Sequence, residues 1–230
     1  MKIGIIGATG MAGSAIFKET KKEELDVTAI VRNAAKAKEE LGNSIQVLEK
    51  DAFSLTKDDL SDFDVVVDAF ATAPTQAYLH VDLATKLVRL FRETDKPRFV
   101  FILGAGSLHT GKDQHLFVED IRKVPGSDTF IAIPENQLSE LRFLQEVTNV
   151  NWIGISPGNS FVAGPAADHI LYGKEELLYN EAGESETTSG TMAKVVVQEI
   201  KDPKYKNEIK TILISGRPGW QQFIKHGEGF

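Results

Sequence analysis

Five short apolar runs, each followed by a segment of different character, limit what this chain can become. They are "KIGIIG" (2–7), "DVTAIVR" (26–32), "IQVLEK" (45–50), "DVVVDAF" (64–70) and "RFVFILG" (98–104). Each is rich in Val, Ile or Phe, and most are apolar at consecutive rather than alternate positions. A strand reads that way when both of its faces are covered. Between the runs lie segments of helical period. Residues 11–24 place Met11, Ala15 and Leu25 on one face; residues 76–94 repeat Leu79, Leu83, Leu87 and Leu90 at steps of three and four. Such alternation builds an α/β fold with a parallel, doubly wound sheet and right-handed crossovers.

The second half is less regular. Pro134 opens a helix expected over 134–148, with Leu138, Leu141 and Leu144 facing inward. A strand is expected over 151–156, a helix over 189–200 capped by Ser189, and a last strand over 211–215. No linker, repeat or low-complexity block interrupts the chain. Residues 1–230 are therefore expected to form a single Rossmann-type domain. The irregular stretches 105–133 and 157–188 follow strand ends, where open parallel sheets bind ligands, and are expected to form its substrate side.

Composition removes several function classes. A net charge of −7 argues against field-driven binding to nucleic acid or to an anionic membrane. The absence of cysteine excludes disulfides, thiolate metal sites and cysteine nucleophiles, and fits a reducing, cytoplasmic setting. The first residues do not read as a signal peptide, and no apolar window is long enough for a membrane helix. The histidines have no metal-ligand spacing, so no metal is expected. "GSLHTGKD" (106–113) falls short of a P-loop because Asp113 stands where magnesium binding needs a hydroxyl.

Gly7, Gly10 and Gly13 form G-x-x-G-x-x-G between the first strand and the first helix. Gly7 allows the turn off the strand, Gly10 leaves room for a pyrophosphate, and Gly13 lets helix and strand approach. The helix N-terminus then offers free N–H groups to an anion. Gly4 lies inside the strand and makes room for a neighbour.

"GATGMAG" resembles the turn of atypical short-chain dehydrogenases/reductases. "VVVDAF", "FILGAGSL", "NWIGISPGNSF" and "LLYNEAGESETTSGTMAKVVVQEI" resemble the NAD(P)H-binding, NmrA-like group, and within it the NADH-flavin reductases related to biliverdin/flavin reductases. The resemblance covers nearly the whole chain. It implies cofactor contacts from Gly7, Thr9, Gly10, Met11 and Gly13, from Asp51 and Ala52 near the adenine, from Ala69, Phe70 and Ala71 beside the nicotinamide ribose, and from Gly104 and Ala105.

NAD-preferring enzymes usually end the second strand in Asp or Glu. Here it ends in Arg32, followed by Asn33, with Lys36 close by. Arg32 is either a solvated charge or the grip for a 2′-phosphate; the second reading gives NADP(H) preference over NAD(H).

None of the four tyrosines has Lys four residues on, and the helix expected at 134–148 contains neither residue, so the Tyr-x-x-x-Lys dyad of ketone reductases is missing. Hydride transfer to a flavin or quinone asks less of the protein, chiefly that two flat rings be held face to face. The resemblance puts an active-site serine at Ser107; the alternative is a turn serine bonding its own loop. His109 is either a proton donor or a surface histidine. Asn159 and Phe161 fall where relatives line the acceptor pocket, and Phe161 suits a flat ring. The expected function is thus an NAD(P)H-dependent reductase of a small aromatic acceptor, with flavin as substrate rather than prosthetic group, acting as monomer or homodimer. The rival is a non-catalytic NADP(H) sensor of NmrA type. The tail 216–230, with Trp220 and Phe223, is expected to pack on the body or on a second subunit.

Overall fold

The computed structural model describes residues 1–214, so the tail expectation lies outside the described residues. Its strands are β1 (Lys2–Ile6), β2 (Asp26–Val31), β3 (Gln46–Glu49), β4 (Val65–Asp68), β5 (Thr94–Ile102), β6 (His109–Thr110), β7 (His115–Leu116), β8 (Val150–Ser156), β9 (Ser160–Val162), β10 (Ile170–Gly173), β11 (Glu186–Thr188) and β12 (Glu208–Ile214). Its helices are α1 (Met11–Lys22), α2 (Ala34–Leu41), α3 (Lys57–Leu60), α4 (Leu79–Phe91), α5 (Phe117–Lys123), α6 (Ala132–Gln145) and α7 (Ser189–Lys201). Eight strands form one sheet in the order β10-β12-β8-β5-β4-β1-β2-β3. The order reverses at β1, which pairs with β2 on one side and β4 on the other, and this leaves a crevice at their C-terminal ends.

The alternating strand faces account for two cores. Ile3, Ile5, Val65, Val67, Val100 and Ile153 pack with Ile16 and Phe17 of α1 and Met192, Val195 and Val196 of α7. Ile6, Val66, Phe99, Phe101 and Trp152 pack with Leu83, Leu87 and Phe91 of α4 and Leu141 and Leu144 of α6. Trp152 is wholly buried and its indole N–H donates to the Val147 carbonyl at 3.0 Å. Fully burying a side chain such as Phe17 or Leu87 contributes about 1.5–3 kcal/mol, which is why these runs hold the layers together.

Three expectations need correction. The sheet is parallel except for β10, which runs antiparallel to β12. No helix lies between β8 and β10, so no crossover returns the chain in the parallel sense. The buried face of α1 is Gly13, Ile16, Phe17 and Thr20, whereas Met11 is 42% exposed. The cap of α7 is Thr188, whose hydroxyl accepts the Thr191 N–H at 3.2 Å, rather than Ser189. Helix α6 contains no Tyr or Lys.

Arg98, near the middle of β5, is buried at 5% exposure. Its guanidinium donates to the Glu199 carboxylate at 2.7 Å, the Glu199 carbonyl at 3.1 Å and the Tyr205 carbonyl at 2.5 Å. The same carboxylate oxygen accepts the N–H groups of Lys204 and Tyr205. Removing one member of a buried pair strands the other charge. Glu199→Ala is expected to lower unfolding free energy by about 3–5 kcal/mol, with Glu199→Gln losing less, as measured by urea titration near neutral pH.

Candidate functional site

Gly7 leaves β1 with φ +73°, and a Cβ there would meet the Ala69 carbonyl oxygen at 2.5 Å. A Cβ on Gly13 would lie 2.2 Å from the Gly7 carbonyl oxygen. Both positions demand glycine for packing alone. Gly10 does not: a Cβ there meets only the Gly7 oxygen, at 3.3 Å, and would otherwise project into open space lining a cleft. Gly10 is also the N-cap of α1, and no side chain caps that helix; its first turn has no acidic residue. The backbone N–H groups at this end are left for a ligand, and the missing side chain at Gly10 gives that ligand access.

The cleft has a volume of about 750 Å³. The structure brings Gly7, Thr9, Gly10, Arg32, Asp51, Ala52, Ala69, Phe70 and Ala71 to it, together with Lys36, Lys50, Phe53, Thr72 and Gln76. Met11 and Gly13 do not line it. Arg32 is exposed and makes no hydrogen bond or ion pair with the described residues. Lys50 is held by Asp59 at 2.6 Å, and that hydrogen bond pulls the Asp59 carboxyl down to about 2. Asp51 accepts the Phe53 N–H at 2.8 Å and so fixes the turn Ala52–Ser54. The carboxylate at the end of β3, Glu49, accepts the Ala34 N–H at 2.8 Å.

Beneath this cleft lies a group of ionisable side chains that sequence reasoning missed. Asp68 ends β4, His80 lies in the first turn of α4 and Glu140 lies on α6; their exposures are 6%, 5% and 3%. His80 Nδ1 is 3.9 Å from Glu140 Oε2, and that oxygen has no hydrogen-bond partner. Asp68 accepts the Phe70 N–H at 3.0 Å, and the Phe70 ring meets the His80 ring edge-on at 5.6 Å. Burial pushes Asp68 up to about 6 and holds His80 in its neutral form. Burial and the neighbouring Asp68 charge raise Glu140 further. The group therefore sets the wall residue Phe70 on a buried base of one imidazole and two carboxyls whose proton affinity burial has raised. An Asp ending the apolar run "VVVD" was the available signal.

A second cavity, of about 660 Å³, lies over the ends of β5 and β8. Gly104, Ala105, Asn159 and Phe161 line it, with Phe117, Phe130, Gln137 and Asp120 among their neighbours. Gln137 fills the space a side chain at Gly104 would need, since a Cβ there would be 2.1 Å from its Oε1. Ser107 and His109 are placed elsewhere. They line a separate cavity of about 160 Å³ with Leu138 and Arg142. The Ser107 hydroxyl donates to the Gly104 carbonyl at 3.0 Å, bonding its own loop, because the turn Ala105–Ser107 swings it beneath the backbone. His109 Nδ1 is 2.7 Å from the Gln114 carbonyl.

Residues 7–203 match the model of a family described as NAD(P)H-binding. The chain belongs to the NAD(P)H-binding family. It is 37% identical to protein YwnB of Bacillus subtilis (strain 168), over 93% of this chain and 98% of that one. A crystal structure of a protein from Lactobacillus casei superposes with a TM-score of 0.86 at 38% identity, covering 94% of this chain and all (100%) of the other. A Streptococcus pneumoniae TIGR4 protein, called "a putative NADH-flavin reductase", superposes with a TM-score of 0.84 at 31% identity, covering 94% and 100%. The family match agrees with the resemblance to NAD(P)H-binding, NmrA-like proteins that the sequence carries.

The acids under that site carry a stability signature. The Asp68 carboxyl lies at 3.8 in its ordinary state and near 6 when folded, so the unfolded chain holds fewer protons between these values. The stability from this group is full below the lower value and is lost as pH rises through the upper one. Asp68→Asn is expected to match the parent near pH ~4. Near pH ~7.5 it should be more stable by up to about 3 kcal/mol, measured by urea unfolding at both pH values.

Proposed function

We propose that this chain is an NAD(P)H-dependent reductase that passes a hydride to a flat aromatic acceptor, with NADP(H) preferred and a flavin or quinone bound as substrate. The observation that carries this reading is the pairing of two unlike cavities over neighbouring strand ends. One is built of glycine backbone, an uncapped helix end and cations; the other is built of aromatic rings with few polar groups. When bound, the dinucleotide supplies the hydride. The chain supplies the rest. Gly10 and the α1 amides hold the pyrophosphate, Ala69 to Ala71 flank the ribose, and Phe117, Phe130 and Phe161 favour a flat ring and keep water from it. Ser107 acts through the loop it ties, whose Gly104 and Ala105 line the acceptor cavity.

The free guanidinium of Arg32 supports the NADP(H) preference, because it can take a 2′-phosphate without giving up an internal partner. Among the described residues no helix is long and apolar enough to cross a membrane. With the cysteine-free, acidic composition this supports a cytoplasmic place.

The test is direct. NADPH mixed with the protein and riboflavin, FMN or menadione is expected to lose its nicotinamide absorbance faster than without protein. Tight NADPH binding with no turnover over that panel would instead mark a dinucleotide sensor. By calorimetry NADPH is expected to bind more tightly than NADH, and Arg32→Ala to weaken NADPH about tenfold while leaving NADH nearly unchanged. Equal affinity of the unmodified protein for both cofactors would remove the assigned role of Arg32.

A further inference from the structure

The reductase reading leaves one demand unmet. Once a flavin or quinone has taken a hydride it is an anion and needs a proton, and the dyad that serves ketone reductases is absent. Among the residues lining the second cavity, Asp120 is the single ionisable side chain. Its Oδ2 is 2.8 Å from His115 Nε2, and its Oδ1 accepts Lys123 Nζ at 2.9 Å. The other ring nitrogen of His115, Nδ1, is 2.7 Å from Asp113 Oδ1. A ring whose two nitrogens both face carboxylate oxygens carries hydrogen on both.

We propose that His115 and Asp120 are the proton-delivery pair for acceptor reduction, bringing a proton from solvent to the second cavity. The proposal rests on the reductase reading. The groups form a hydrogen-bonded row: Asp113, whose side chain is 76% exposed, then His115, 23% exposed, then Asp120, 40% exposed at the rim of the cavity it lines. As negative charge forms on the acceptor, the proton on Nε2 passes to Asp120 Oδ2, and the carboxylic acid so formed gives it to the anionic nitrogen or oxygen. The N–H bond of His115 breaks and an N–H or O–H bond of the acceptor forms. His115 is left neutral and regains its proton from water at its exposed side. The two electrons and the first hydrogen come with the hydride. Asp120 is the catalytic residue, since it faces the acceptor; His115 and Asp113 position and recharge it.

The charges around the imidazole keep it loaded with the proton it is to give. Asp113 and Asp120 hold its pKa above the ordinary histidine value, so it keeps a proton to give near neutral pH. The hydrogen bond to His115, and after it that to Lys123 on the same helix with Glu119 beside that lysine, hold the Asp120 carboxyl below its ordinary value, so it rests as a carboxylate able to accept the proton. His109 does not serve this role: its Nδ1 is tied to a backbone carbonyl and it lines a different cavity.

Two measurements test the proposal. Without cofactor, riboflavin titrated into the protein is expected to move the His115 ring resonances and its NMR titration, because the ligand touches the carboxylate the ring is bound to. With saturating NADPH, turnover of riboflavin or menadione is expected to fall as pH rises through that His115 titration. Asp120→Asn and His115→Gln should each lower kcat about tenfold or more near neutral pH and erase this falling limb, with NADPH affinity unchanged. Asp113→Asn should move the limb to lower pH, because it removes a charge that stabilises the imidazolium. The inference is overturned if riboflavin leaves the His115 resonances where they were. It is equally overturned if both variants keep the parent rate and pH profile, or raise KM alone. Absence of any NADPH oxidation by the unmodified protein would instead bring down the reductase reading itself.

Discussion

The first helix touches the end of the first strand with nothing between them. At Gly13 there is no space for one carbon atom, because the Gly7 carbonyl oxygen occupies it, and at Gly7 the same is true of the Ala69 carbonyl. This double contact sets the rest. It brings α1 onto the sheet so that Ile16 and Phe17 reach the core shared with α7. It also ties the β4 end to the β1 turn, so that Ala69, Phe70 and Ala71 form the wall opposite the uncapped helix end. A methyl group at either glycine would open both the core and the cleft. Gly10 is less confined, its Cβ position lying 3.3 Å from the Gly7 oxygen, and it borders the cleft.

The protein handles its two buried charged groups in opposite ways. Arg98 and Glu199 satisfy one another and three backbone groups besides, far from the cleft, and together they lock β5 to the end of α7. Asp68, His80 and Glu140 leave a carboxyl oxygen with no partner, directly under the cleft. An unpaired buried oxygen costs about 1–3 kcal/mol, and natural cores seldom keep one without use. The group lies against Phe70, a residue of the cleft wall. The first pair secures the frame, and the second belongs with the site.

The parts of this structure that were legible in the sequence share a cause. Strands β1, β2, β4, β5 and β8 are buried on both faces, so their composition alone announced them, and the glycine spacing identified the turn because each glycine answers a steric need. What stayed hidden depended on three-dimensional placement. Strand β10 is half exposed and only four residues long, ILYG, inside an otherwise irregular stretch. Thr188 and Ser189 are both good caps, and only the backbone path chooses between them. The buried face of α1 includes Gly13 and Thr20, which no count of apolar residues would select. Ser107 and Asn159 follow strand ends alike, yet one short turn carries Ser107 to a separate cavity. His115 and Asp120 meet across a strand-to-helix joint at a spacing that belongs to no known motif.

A helix without a side-chain cap is an unfinished helix. On the proposed function, a dinucleotide docked on the α1 amides would complete that first turn, and a ligand bound by the folded chain alone adds its binding energy to folding. The population of opened molecules, and with it exposure to proteases, then depends on how much dinucleotide surrounds the protein. On that proposal, the glycine at the helix start would make the lifetime of this chain a gauge of the nicotinamide pool around it.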